Sequence, residues 1–193
     1  MAQSNTSYHH GDLPSALVRA AVELLEEDGA ADLSLRAAAR RAGVSTAAPY
    51  RHFADRDALL SAVAAVGYRD LSEQLVAAGP APSTAEDMAA IAVAYVRFAL
   101  ARPALFRVMF SDPCDPTSPE RVAATTAIHE YVSAIVRQVF PDADEESLAT
   151  ALWALVHGLA FLYLHGKFDA ETLEQRVRAT VFAVLELPGP ASA

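Results

Sequence analysis

Residues 34–53, SLRAAARRAGVSTAAPYRHF, decide how the chain is organised. Ser34 has the side chain of a helix N-cap, and Leu35, Ala38, Ala39 and Ala42 follow at the i, i+3, i+4, i+7 spacing of one buried helix face. Gly43 comes directly after the last apolar position, where a helix ends most easily on a residue without a Cβ. Val44 can then fill the angle between two helices, and Ser45 offers a second N-cap for a helix carrying Tyr50, Arg51, His52 and Phe53. Two short helices joined by a tight glycine turn make a helix-turn-helix, whose second helix is the one a DNA major groove admits. The candidate DNA contacts are Ser45, Thr46, Ala47, Tyr50, Arg51 and His52, with Arg36, Arg40, Arg41 and Arg56 around them. From Arg36 to Asp57, five arginines oppose two aspartates, a local +3 in a chain of net charge −9. That local excess suits a phosphate backbone, and the acidic remainder disfavours indiscriminate binding to nucleic acid.

Outward from this stretch the pattern stays helical. Upstream, Asp12 and Pro14 open a supporting helix that buries Leu13, Leu17, Ala20, Ala21 and Leu24 and stops at Asp28 and Gly29. A short arm, residues 8–12, precedes it; its adjacent His9 and His10 lack the partner set a metal site needs. Downstream, Asp55 caps a connector helix with Leu59, Leu60, Val63 and Val66 that runs to about residue 78, and Gly79, Pro80 and Pro82 break the chain. Ser83 and Glu86 read as a capping box for the next helix, Arg102 and Pro103 as a bend into a short one, and residues 111–118 as a loop. Three more helices follow, over about 119–139, 145–165 and 170–187. The expectation is an all-α fold of about nine helices. Residues 1–55 form a helix-turn-helix DNA-binding domain, and residues 56–193, starting with the connector, a helical ligand-binding and dimerisation domain.

The chain has 193 residues, 53% of them hydrophobic, which suffices for a substantial core and excludes disorder. No stretch alternates apolar and polar residues over strand length. The single cysteine, Cys114, excludes an intrachain disulfide and, with the polar residues 4–12 in place of a basic-then-apolar signal, points to the cytoplasm. Residues 147–166 carry no Asp, Glu, Lys or Arg over the length of a membrane span. Thr150, His157, Gly158 and His165 within it, and Glu145 and Glu146 before it, favour instead a helix buried from several sides, in a core plus a subunit interface.

The motifs Ala42, Gly43, Val44, Ser45; Tyr50, Arg51, His52, Phe53; and Asp55, Arg56, Asp57, Ala58, Leu59, Leu60 resemble those of the TetR family of transcriptional regulators, over about residues 8–66. Trp153, His157 and Gly158 further resemble the Trp-His-Gly signature of one C-terminal subgroup. Pro49 stands where the family commonly has leucine, and Arg56 where a phosphate-contacting lysine is usual. The resemblance implies a homodimeric, ligand-responsive regulator, most often a repressor, on a pseudo-palindromic double-stranded operator. It also implies an arm at residues 8–12 lying against DNA or the first helix.

The helices at about 145–165 and 170–187 are the candidates for the homodimer, because a monomer has too few layers to cover both sides of the first. Ala151, Ala154, Gly158 and Ala160 would allow close helix approach. Tyr95, Phe98, Phe106, Met109, Phe110, Tyr131, Trp153 and His157 supply aromatic, sulfur and polar-tipped groups that either line a cavity for a small apolar effector or fill a core. No cofactor or metal is expected. The competing class, an all-helical enzyme or carrier with no role on DNA, finds no Ser-His-Asp grouping, phosphate loop or metal-ligand cluster to support it.

Overall fold

The computed structural model describes residues 13–110 and 114–185. The expected arm at residues 8–12, the first three residues (111–113) of the expected loop and the expected end of the last helix beyond residue 185 lie outside them. Eight α-helices follow in order: α1 (Leu13–Asp28), α2 (Leu35–Arg41), α3 (Arg56–Ala78), α4 (Ala85–Ala101), α5 (Pro103–Phe110), α6 (Pro119–Val139), α7 (Glu145–Leu164) and α8 (Leu173–Leu185). Two 3-10 turns, Pro49–Arg51 and Ala170–Thr172, complete them, with no strand among the described residues. The all-α expectation holds. The ninth helix is the difference, because the second helix of the helix-turn-helix closes as a turn followed by the Pro49–Arg51 3-10 turn.

Local chemistry sets the boundaries. Ser34 accepts from Ala37 N at 3.1 Å, Asp55 from Ala58 N at 2.9 Å and Asp144 from Ser147 N at 2.8 Å, so these three N-caps read from the sequence are made, whereas Ser45 caps no α-helix. The capping box shifts by one residue: Thr84 and Asp87 form it, not Ser83 and Glu86. Asp87 also accepts from Ser83 N at 2.9 Å, so one carboxylate satisfies both backbone groups ahead of the helix, and its pKa is held below the usual carboxylate range, chiefly by that Ser83 bond. Glu86 is thereby released to pair with Arg178 of α8.

The long α3 threads both halves, with α1 against its first turns and α4, α5 and α6 along the rest. The chain turns by 105° between α4 and α5. Pro103 stands in the first turn of α5, where its missing N–H costs nothing, and Arg102 at the corner reaches Glu26 of α1 at 2.6 Å and Asp70 of α3. One corner side chain thus ties the α4–α5 elbow to both the first helix and the connector. Buried apolar residues from α1 to α8 make one continuous core, with Phe98, Phe106, Leu105 and Met109 at its centre. Within α1 the buried leucines are Leu17, as expected, and Leu25 in place of Leu24, while Leu13 and Leu24 are half-buried. Along α6 the inward positions are Ala124, Ile128, Ile135 and Val136, while Val122 and His129 are exposed.

Candidate DNA face and effector cavity

The helix-turn-helix is assembled by backbone economy. Gly43 adopts φ +70°, a left-handed conformation that a side chain resists, and its neighbour Val44 turns back to donate to Ala39 O at 3.0 Å. After Ser45 the chain forms i→i+3 bonds: Ala48 N to Ser45 O at 2.9 Å, Arg51 N to Ala48 O at 3.3 Å and His52 N to Pro49 O at 2.9 Å. Pro49 has no N–H to give Ser45 the i→i+4 bond, so the tighter ladder takes over there and the expected α-helix does not form. The Pro49 ring is buried, in the place where an apolar side chain is required. Phe53 is buried as well, whereas Tyr50 is 52% exposed.

Ser45, Thr46, Ala47, Arg51 and His52 are likewise exposed, as are Arg36 and Arg40 of α2, and none of these three arginines pairs with an acid among the described residues. Two of the expected phosphate contacts are placed differently. Arg41 folds back onto α1, where it binds both oxygens of Glu27 and reaches Glu23 at 3.3 Å. The Arg41 bond lowers the Glu27 pKa, and Glu27 first, then Glu23, raise that of Arg41. Arg56 donates through Nε to Leu33 O at 3.0 Å and through a terminal nitrogen to Ala30 O at 2.7 Å. Its guanidinium satisfies carbonyls of the α1–α2 loop and clamps it to the start of α3. Sequence spacing cannot distinguish such inward use from an outward one, since all five arginines look alike in one dimension.

In the second half, three adjoining spaces of about 50, 160 and 280 Å³ share Ile128 and Trp153 between α4, α6 and α7. The first is walled by aliphatic side chains, among them Leu75, Ile91, Val156 and Val181. The second meets Tyr68, Met109, Phe110, Arg121 and Thr125. Of the expected lining, Tyr95, Met109, Phe110 and Trp153 reach these walls. Phe98 is closed into the core, and Tyr131 turns its hydroxyl to Leu75 O at 3.1 Å and Gly79 O at 3.3 Å. His157 and Phe106 stand just behind: His157 Nδ1 lies 2.9 Å from the Tyr95 hydroxyl, and Phe106, Phe110, Phe161 and Trp153 surround the imidazole. Burial lowers the His157 pKa and raises that of Tyr95.

Arg121 was missed by the sequence reading. A signal was present: Arg121, Thr125, Ile128 and Val132 recur at helical spacing, so the arginine is in register with the inward face of α6.

On the far side α7 is long and apolar enough to cross a membrane by length and composition, yet only 22% of that stretch is buried within the chain. Ala151, Trp153, Ala154, Gly158 and Leu162 are exposed, and a Cβ on Gly158 would meet nothing within 4 Å. Ala160, expected beside them, is instead buried in the core.

Comparison with known proteins bears on both halves. The family profile described as "Bacterial regulatory proteins, tetR family" matches residues 17–63, and that described as "Tetracyclin repressor-like, C-terminal domain" matches residues 88–185. A protein of unknown function from Rhodococcus sp. RHA1 is 36% identical, with TM-score 0.79, over 92% of this chain and 96% of its own. An HTH-type transcriptional regulator of Mycobacterium tuberculosis is 29% identical over 185 residues, covering 77% of this chain and 79% of that one. The TetR family regulator PfmR from Thermus thermophilus shares the fold, with TM-score 0.66 at 19% identity over 90% and 99% of the two chains.

Proposed function

The chain belongs to the TetR family of DNA-binding transcriptional regulators, and from that premise we propose that it is a cytoplasmic homodimeric repressor whose operator is released when a small molecule enters the cavity around Ile128 and Trp153. The observation that carries this reading is the division among the arginines. In a chain with 24 acidic and 15 basic side chains, Arg36, Arg40 and Arg51 of the helix-turn-helix are exposed and pair with no acid among the described residues, which leaves them for an anion. Arg36 and Arg40 take phosphates; Thr46, Ala47, Tyr50 and Arg51 meet bases or the backbone beside them, flanked by Ser45 and His52. Arg41 and Arg56 position the motif from behind.

The uncovered faces of α7 and α8 are the dimer surface. Exposed small residues along α7 allow two such helices to approach closely, and burying Leu162 and Trp153 there stabilises the pair by the hydrophobic effect. Two motifs held about 34 Å apart then read successive major grooves of a pseudo-palindrome. Transmission runs through the α4–α5 elbow: a ligand that shifts α4 moves Arg102, and with it Glu26 of α1 and Asp70 of α3. Release follows if the ligand binds better to the spacing that misfits the operator.

Selection of random duplex DNA by the purified protein, followed by binding of the recovered sequence across a salt series, tests this. A pseudo-palindrome with half-sites one turn apart, and a salt dependence of several released counterions, is the expected result. Recovery of no preferred sequence by protein stripped of small molecules would overturn it.

A further inference from the structure

One donor of the charged group in the effector cavity lacks an acceptor. Arg121 Nε is fully buried and has no hydrogen-bond partner, the only such side-chain nitrogen or oxygen among the described residues. Its guanidinium forms no ion pair among the described residues either. A neighbouring acid, Asp115, is engaged elsewhere: its carboxylate accepts from Thr117 N at 2.8 Å and Thr117 Oγ1 at 2.7 Å, the bonds that chiefly lower its pKa, with the Arg121 charge a lesser cause. The Tyr68 hydroxyl donates its own proton to Met109 O at 2.7 Å; burial raises its pKa, against the charge of Arg121 and a hydrogen bond from that guanidinium, which leaves Nε as the donor without an acceptor. Buried polar groups in folded proteins are almost always satisfied, and an exception calls for a missing acceptor.

Arg121 helps wall the 160 Å³ space together with Thr125, and that space adjoins the 50 Å³ one through Tyr95, Ile128 and Trp153. One end therefore offers a planar cationic fork, the Thr125 hydroxyl beside it being spent on Arg121 O and Val122 O of its own helix, and the other aliphatic and aromatic side chains. We propose that the effector is an organic carboxylate with an apolar chain, its carboxylate bound by Arg121 and its chain lodged between Ile91, Val132 and Val156. This rests on the reading of the cavity as the effector site. A carboxylate matches the guanidinium fork with two parallel hydrogen bonds, which a neutral oxygen cannot do, so the site discriminates by charge as well as by shape.

Trp153, the single tryptophan, lies in the wall of both spaces and reports occupancy by its fluorescence. The probes are straight-chain fatty acids of graded length, each with its methyl ester and its alcohol. Wild-type protein is expected to bind an acid of fitting length roughly tenfold or more tightly than the ester or alcohol. Arg121→Met, which fills similar volume without charge, is expected to lose that preference while still binding the alcohol; Arg121→Lys retains part of it. Equal binding of acid and ester by the wild type overturns the carboxylate assignment and leaves the cavity reading standing. Retention of the acid preference by Arg121→Met overturns the role of Arg121. Silence of Trp153 towards every probe, acid and neutral alike, overturns both readings.

Discussion

Gly67 sits in the middle of α3 where α5 crosses it, and replacing it with alanine puts two calculable effects in opposition. Alanine is the better helix former by about 1 kcal/mol. Its Cβ, however, would lie 2.6 Å from Met109 Sδ, 2.9 Å from Met109 Cγ and 3.1 Å from Leu105 Cγ. Met109 is 1% exposed and Leu105 not at all, so neither can swing outward to make room. Overpacking of this kind costs about 1–3 kcal/mol. Gly67→Ala is therefore expected to destabilise the protein by about 1 kcal/mol net, measured by urea unfolding followed by circular dichroism. Met109→Ala alone leaves a void and costs about 2–5 kcal/mol. Together the two changes should cost about 1–2 kcal/mol less than their sum, because the new Cβ grows into the vacated space. The consequence reaches the cavity, since Met109 also lines the space beside Arg121 and is pushed towards it by the new methyl group. Stabilisation by the full propensity gain, or strict additivity of the pair, would refute the account of Gly67 as the point of closest approach between α3 and α5.

Arg51→Ala removes an exposed, unpaired guanidinium and is expected to cost roughly 1–3 kcal/mol of operator binding with no loss of thermal stability; an unchanged operator affinity in a shift assay counts against its contact. Gly158→Arg places a bulky charge where the single chain has open space, so each subunit should fold normally while sedimentation shows the dimer lost; a dimer intact at wild-type concentration would remove α7 from the interface. Because burial among aromatic rings depresses the His157 pKa, the unfolded state binds its proton more readily. Its contribution to stability is thus full above the unfolded value of about 6.5 and is lost as pH falls from there towards the depressed folded value. His157→Phe should flatten that part of the urea midpoint against pH, and an unaltered slope would show another group responsible.

Legibility of the fold followed the range of the forces involved. Caps at Ser34, Asp55 and Asp144 and the turn at Gly43 act within four residues, and each was readable because the residue and the backbone group it satisfies are neighbours in sequence. The capping box slipped by one position because Ser83 and Thr84 are equally able hydroxyls, with Glu86 and Asp87 equally placed behind them. The choice went to Asp87, whose single carboxylate serves both backbone groups, while Glu86 is taken by Arg178, distant in sequence. At Pro49 a missing N–H removes one bond, which by itself leaves the expected helix possible. The backbone instead redistributes the neighbouring bonds into a 3-10 turn.

The site was harder, because charge in a sequence has sign but no direction. Arg41 and Arg56 carry the same guanidinium as Arg36 and Arg51. Whether that group meets a phosphate or a carbonyl depends on Glu27, Ala30 and Leu33, which reach it only after α1, α2 and α3 have assembled. The same limit hid Arg121: in register with an apolar face, it would ordinarily be expected to extend its stem and carry its charge out to water. Here Nε remains covered and unpaired, against the general rule that buried polar groups find partners. An anion at that end of the cavity would supply the acceptor that Nε lacks. The residue that sequence reasoning passed over is thus the one whose unmet bond gives the cavity a chemical preference, and its desolvation cost is the reason an anionic effector would bind the protein more strongly than a neutral molecule of the same shape.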